Sequence, residues 1–227
     1  TIPARGRGEP GPTPLRIMNT SLAILIAGGL LTALVAQENK DSALQFSWVD
    51  PTDPAIADLA KSGERLIDRV GGSLMVETDR MIATKGLEAS VQELHLKNLN
   101  PPRAIEGKPR VTAIKRTSFR VREPRNTPDA ADLAALESIR ADLNSGHAPP
   151  KVLVQKVERP DAPVEWRVYR PISVAPNCLL CHGPVDRLQP GVRYALERYY
   201  PEDKATEYSA YDWRGVIRIS YELPPKT

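Results

Sequence analysis

The sequence predicts an α+β fold with a mainly antiparallel sheet. Apolar residues first recur at helical spacing, over residues 55–83 and again over 86–96. Short runs of alternating apolar and polar residues follow, and they surround one amphipathic helical stretch at 129–144. Helices first and strands afterwards are typical of an α+β domain rather than of repeated βαβ units.

The individual elements follow from local signals. Asp53-Pro54 indicates the start of the first helix, and Gly71-Gly72 is expected to break or kink it. A further helix is predicted at 192–199. Strands are predicted at residues 110–122, 151–158, 164–172 and 215–221, with Pro160-Asp161-Ala162-Pro163 as a hairpin turn between the second and third.

The N-terminal part predicts export from the cytoplasm. Residues 1–16 combine several prolines and glycines with arginines, which indicates a disordered basic tail. Residues 17–36 are apolar and uncharged, and ~20 such residues can span a bilayer. They can be a cleaved signal peptide or a retained signal anchor that keeps the arginines on the cytoplasmic side. We expect the anchor, followed by a linker at 37–53 and an exported, periplasmic domain at 54–227.

Composition adds few constraints. A chain of 227 residues suits one domain plus appendages. Its 31 basic and 28 acidic residues leave a formal net charge of +3. The chain therefore lacks the large positive electrostatic field that would indicate a nucleic-acid partner. No carboxylate pair or nucleophile constellation indicates an enzyme.

The clearest chemistry lies in Cys178-Leu179-Leu180-Cys181-His182. The pattern C-x-x-C-H is the attachment signature of a c-type haem. Two thiols three positions apart lie on one side of a helical turn, where both can reach the two vinyl groups of one porphyrin, and the histidine that follows can bind the iron as proximal ligand. These are the only two cysteines, so we predict one covalent haem c bound through Cys178, Cys181 and His182.

Two other interpretations of the cysteine pair stay open. A zinc site needs four ligands, and His95 and His147 do not form a paired second half. A thioredoxin-like dithiol is expected to follow a strand and open a long helix. Here Pro176 precedes the pair and Gly183-Pro184 stops any helix after it.

Beyond this motif, three blocks of sequence resemble a known family. They are Arg116-Thr117-Ser118 with Arg122 through Asp129, Tyr169 through Ile172 with the haem motif, and Tyr200 through Ala205 with Tyr208 and Asp212 through Gly215. In this order they resemble the PAS-like single-haem c domains of exported cytochromes and of chemoreceptor and histidine-kinase sensor regions. The resemblance covers about residues 55–222 and implies a PAS-like antiparallel sheet with N-terminal helices.

The sequence also departs from that family at several positions, and the most consequential departure concerns the sixth iron ligand. Glu123 stands where the family usually has asparagine, while Glu207 and Tyr211 stand where glycines are common. Family members can ligate the iron with a cysteine from the short helix before the first strand, and Leu94 lies at or near that place here. His95, the next residue, is our candidate for the sixth ligand; its alternative is a surface or packing histidine.

Other candidates are held open. Met75 and Met81 can be core residues or thioether ligands, and the sixth position can be vacant. Arg116 and Arg120 are predicted to pair with the haem propionates because guanidinium matches carboxylate bidentately. The alternative for both arginines is a solvated strand face.

Two functions from different classes fit these features. The first is a membrane-anchored monohaem cytochrome that transfers electrons, or an accessory haem subunit, with a larger membrane redox complex or a redox protein as partner. The second is a haem-based sensor of a gas or of redox state. Histidine at both axial positions leaves no vacant site, so the sequence favours electron transfer.

Overall fold

The computed structural model describes residues 44–224, and the strands among them form one antiparallel sheet of five strands. The strands are β1 Gln45–Val49, β2 Arg110–Thr117, β3 Leu153–Glu158, β4 Glu165–Ser173 and β5 Trp213–Glu222. Their order across the sheet is β1-β3-β4-β5-β2, and every neighbouring pair is antiparallel. The predicted α+β class with an antiparallel sheet is therefore confirmed.

The helices lie close to where the periodicity predicted them. They are α1 Ala57–Lys85, α2 Leu87–Leu96, α3 Ala130–Asn144, α4 Leu179–His182 and α5 Pro190–Tyr199. Gly86 separates α1 from α2 at a φ of +82°, a conformation that glycine adopts without a steric cost. A reciprocal capping box between Asp129 and Asp132 starts α3. Of the two alternatives at Gly71-Gly72, the break is wrong, because α1 continues through both glycines.

Part of the predicted linker at 37–53 is in fact a strand. Strand β1 pairs along β3, with Phe46 opposite Val157 and Trp48 opposite Gln155. The alternation in this stretch is only a few residues long, and its partner strand begins at Leu153, far along the chain. A pairing of this kind leaves almost no local signal, which is why the sequence did not predict the strand.

Helices α1 and α3 pack on opposite faces of the sheet. On one face, apolar residues of α1 such as Leu59 and Ile67 join Val168 and Ile219 in a buried cluster. On the other face, α3 packs through a cluster composed of Ala135, Leu136 and Ile139 with Tyr169 and Val216. The alternation along β4 and β5 divides their side chains between these two layers.

The α3 face also carries a buried ionic network that the sequence did not predict. Asp132 is fully buried and accepts hydrogen bonds from Arg218 at 2.9 and 3.1 Å and from Lys115 at 2.9 Å. Arg167 donates to both oxygens of Asp129, at 2.7 and 2.8 Å. Each buried charge therefore has partners, as burial requires.

Strand β2 ends earlier than predicted, at Thr117 rather than at residue 122. The chain crosses Gly215 of β5 so closely that a Cβ there would lie 2.3 Å from the Thr117 carbonyl oxygen. Beyond this point the Ser118 hydroxyl donates to the Arg120 carbonyl at 2.8 Å, and Arg214 donates to the Ser118 hydroxyl at 2.6 Å. These bonds turn residues 118–122 out of the sheet and toward the segment around residue 205.

A matched pair of glycines in α1 tests the packing of this helix on the sheet. A Cβ at Gly63 would lie 2.7 Å from the Cβ of Val168, whereas a Cβ at Gly72 would meet nothing within 4 Å. We expect Gly63→Ala to lower the free energy of unfolding by ~1–3 kcal/mol through overpacking. Gly72→Ala is expected to raise it by up to ~1 kcal/mol, because alanine favours helix. Urea unfolding followed by circular dichroism measures both, and equal effects would contradict the packing described.

The expected tail at 1–16 and apolar segment at 17–36 lie outside the described residues. Within residues 44–224, no helix combines the length and the apolar character needed to cross a membrane.

Candidate functional site

Residues 178–182 form one tight turn of helix, which we call the attachment turn. A 3-10 turn at Pro176–Cys178 leads directly into α4, and the Gly183 amide closes it by donating to the Leu179 carbonyl at 2.9 Å. A Cβ at residue 183 would lie 2.7 Å from that carbonyl oxygen, so the closure requires glycine. Both cysteines are free and half-buried. The turn thus carries two thiols at i and i+3, which is the spacing that places them on one side.

His182 has a defined tautomer. Its Nδ1 lies 2.6 Å from the Ala205 carbonyl oxygen. A carbonyl oxygen only accepts, so Nδ1 carries the hydrogen, and Nε2 of the neutral ring keeps its lone pair. Burial, followed by the positive charges of Arg122 and Arg214, holds the pKa of His182 well below its usual value. The ring is therefore neutral at pH 7, which is the form that binds metals.

Residues 203–208, which we call the strap, hold this turn in place. The Glu207 and Tyr208 amides donate at 3.0 Å to the carbonyls of Gly183 and His182. The Glu207 carboxylate in turn accepts from the Val185 amide at 2.7 Å. The strap therefore binds the end of α4 through its backbone and also supplies the Ala205 carbonyl to the His182 ring.

Arg122 joins the turn to the strap. Its Nη2 donates to the Cys181 carbonyl at 2.5 Å and to the Ala205 carbonyl at 3.2 Å. Its Nε donates to Asp203 at 3.0 Å. The sequence predicted Arg122 as the last residue of a strand. Its position within the first block of the family resemblance was the available signal for this role.

Two further arginines lie near His182 without an acidic partner among the described residues. Within residues 44–224, neither Arg116 nor Arg214 forms an ion pair. Nη1 of Arg214 instead donates hydrogen bonds to the Ser118 hydroxyl and to the Arg120 carbonyl. Burial lowers the pKa of Arg116, and the charge of Arg122 lowers it further. Yet the Arg116 side chain stays accessible to water. Arg116 and Arg214 both add positive charge near the His182 ring.

Arg120, which the sequence predicted as a propionate partner together with Arg116, has different surroundings. Its Nε donates to the Lys204 carbonyl at 3.1 Å, Nη1 donates to the Glu207 carbonyl at 3.4 Å, and Nη2 donates to the Thr206 carbonyl. Its guanidinium carbon also lies 4.2 Å from the centre of the Tyr208 ring. The structure therefore engages the donors of Arg120 with the backbone of the strap.

His95 lies in the last turn of α2, which packs against α5. Its ring centre is 4.9 Å from that of Tyr200 in an edge-on arrangement, and its Nδ1 lies 3.5 Å from the Glu123 carboxylate. The ring of Tyr200 also faces Arg122 at 5.8 Å, and Cys181 packs against the apolar cluster that contains Tyr200. His95 and the attachment turn therefore border the same group of side chains.

The alternative ligand candidates have other surroundings. His147 is exposed in the turn after α3. Met75 is 55% exposed, whereas Met81 is 4% exposed and packed within the core.

Comparison with known proteins gives one family match and one similar solved structure. A family model described as "Tll0287-like: Tll0287" matches residues 78–221, which is more than half of the chain. A solved structure, the crystal structure of the cyanobacterial heme-protein Tll0287, is similar to the chain with 17% sequence identity and a TM-score of 0.39. That similarity covers 89% of this chain and 98% of the other. No curated protein matches the chain. On the strength of the family model, this chain belongs to the Tll0287-like family.

Proposed function

We propose that this chain is a monohaem c-type cytochrome that transfers electrons, with one haem held covalently by Cys178 and Cys181. The observation that carries this proposal is the geometry of residues 178–182. They combine two free thiols at i and i+3 with a neutral histidine whose Nδ1 donates to the Ala205 carbonyl. A proximal haem ligand needs a free Nε2, and such a second-sphere hydrogen bond provides it.

The residues around the turn fit a haem in charge as well as in ligands. A haem carries two propionates. Arg116 and Arg214 place positive charge near His182, and neither has an acidic partner within the described part of the chain. We propose that these two arginines pair with the propionates. Arg120, our expectation from the sequence, would instead brace the strap, since three backbone carbonyls engage its donors.

We propose His95 as the sixth ligand. It borders the same side chains as the attachment turn. The other candidate histidine, His147, is instead exposed in the turn after α3. When bound, the haem supplies a one-electron redox centre, and the protein orients it and excludes water. Two histidine ligands leave no open position for a gas, which favours a carrier or an accessory haem subunit over a sensor or an enzyme.

Family membership supports a haem-binding function. The cyanobacterial member Tll0287 is described as a heme-protein. For the present chain, the finer assignments are proposals: a PAS-like arrangement of the sheet, a single covalent haem, and a membrane redox complex or redox protein as partner.

One optical experiment tests the carrier against the sensor. The oxidised and reduced spectra of the parent protein are recorded with and without carbon monoxide. We expect a low-spin six-coordinate spectrum in both oxidation states and slow binding of carbon monoxide, because the gas must first displace an axial ligand. Rapid binding by the unmodified protein would favour the sensor, and a spectrum without haem would contradict both.

We also propose that residues 17–36 anchor the protein, with residues 54–227 on the periplasmic side. The support is an uncharged stretch of ~20 apolar residues behind an arginine-containing tail. N-terminal sequencing of the protein from native membranes is expected to find residues 17–36 retained. A mature chain that begins at Gln37 would show that the segment is a cleaved signal peptide.

A further inference from the structure

The starting observation is a buried nitrogen without a partner. Nδ1 of His95 is shielded from water and makes no hydrogen bond. The Glu123 carboxylate lies 3.5 Å from it, within reach of an ion pair but too far for a normal hydrogen bond. A buried imidazole nitrogen without a hydrogen bond lowers the stability of the folded protein. We therefore expect the Glu123 carboxylate to complete the hydrogen bond that Nδ1 lacks.

We propose that Glu123 is a positioning residue that accepts the Nδ1 hydrogen of His95 and thereby directs Nε2 of His95 to the haem iron. This inference rests on the proposed function. A shift of less than ~1 Å would bring the pair to the usual charge-assisted distance of ~2.8 Å.

Arg125 holds Glu123 in the required place. Its Nε and Nη2 each donate to the Glu123 carboxylate at 3.0 Å, and Nη2 also donates to the His95 backbone carbonyl at 2.9 Å. The Glu123 side chain also accepts from the Arg125 amide at 3.3 Å, at the start of the Pro124–Asn126 turn. The carboxylate, the arginine and the end of α2 therefore form a closed set of contacts. Each carboxylate oxygen has two lone pairs, so Oε2 can still accept from His95.

The chemistry mirrors that of the proximal side. Metal-binding histidines generally donate their second ring N–H to a carboxylate or a carbonyl, which sets the tautomer and raises the basicity of the ligand nitrogen. His182 uses the Ala205 carbonyl for this purpose. A carboxylate is the stronger acceptor, so His95 would bind the oxidised iron more firmly. The adjacent residue Arg122 supports the proximal side through Cys181 and Ala205, so neighbouring positions of one segment would act on both axial ligands.

The test uses two variants of Glu123 and one control in the full-length, haem-loaded protein. Glu123→Gln removes the charge and leaves a weaker acceptor, while Glu123→Asp keeps the charge but is one methylene shorter. The control is Glu93→Gln, which removes an exposed carboxylate of α2 that pairs with Lys85 at 2.6 Å. Haem content, reduction potential and the association rate of carbon monoxide with the reduced protein are measured for each.

We expect Glu123→Gln to keep its haem, to shift the potential upward, and to bind carbon monoxide ~10-fold faster than the parent. Glu123→Asp is expected to accelerate carbon monoxide binding as well, which a pure charge effect cannot explain. The control is expected to match the parent. If both Glu123 variants bind carbon monoxide at the parental rate, the positioning role is wrong. A parent protein without covalent haem would overturn the proposed function and this inference together.

Discussion

Replacing both Cys178 and Cys181 by alanine is expected to abolish covalent retention of the haem. In the parent protein, mass spectrometry after denaturation should detect one haem adduct, because the two thiols of the α4 turn can each form a thioether to one vinyl group. Acidified organic solvent should then extract the haem from the double variant but not from the parent. Each single variant keeps one thiol and is expected to retain an adduct in lower yield.

Leu180→Ala is a suitable control for this experiment. Leu180 lies in the same turn and is 41% exposed, so its truncation alters the turn without removing a thiol. We expect this variant to keep the adduct. Extraction of the haem from the parent, or zinc in its place, would contradict covalent attachment and return the cysteine pair to its alternative interpretations.

Replacing His95 by alanine is expected to open the sixth coordination position. The reduced spectrum should change from a low-spin six-coordinate form toward a five-coordinate form, and carbon monoxide should bind at least ~10-fold faster than to the parent. The physical reason is that the gas no longer has to displace an imidazole from the iron. Stopped-flow mixing of the reduced protein with carbon monoxide measures the rate.

His147→Ala serves as the control because His147 is exposed in the turn after α3. It is expected to leave the spectrum and the rate unchanged. An unchanged His95→Ala spectrum would make His95 an ordinary helix residue, and Met81 and Met75 would become the next candidates for the ligand. Histidine–methionine ligation would also raise the potential relative to two histidines, because a thioether favours the reduced iron.

Much of the fold was predictable because its signals are local. The apolar residues recur at helical spacing within each of α1, α2 and α3. They alternate with polar residues within each of β3, β4 and β5. Each pattern lies within one short stretch of chain. The predictions failed where a distant partner decides the structure. Strand β1 exists because it pairs with β3, and β2 ends at Thr117 because Gly215 and Arg214 approach it from β5.

The sequence by itself predicted the attachment chemistry, since two thiols and a histidine within five consecutive residues can be recognised without any fold. It also identified His95 as a candidate ligand through the family resemblance. Only the tertiary structure separated the roles of the arginines: the backbone of the strap engages Arg120, while Arg116 and Arg214 lie near His182 without an acidic partner among the described residues. Likewise, only the structure brings Glu123 to His95. These pairings join residues 28 to 87 positions apart in sequence. No local pattern encodes such distances, because the packing of α2, the strap and β5 around residues 178–182 sets them.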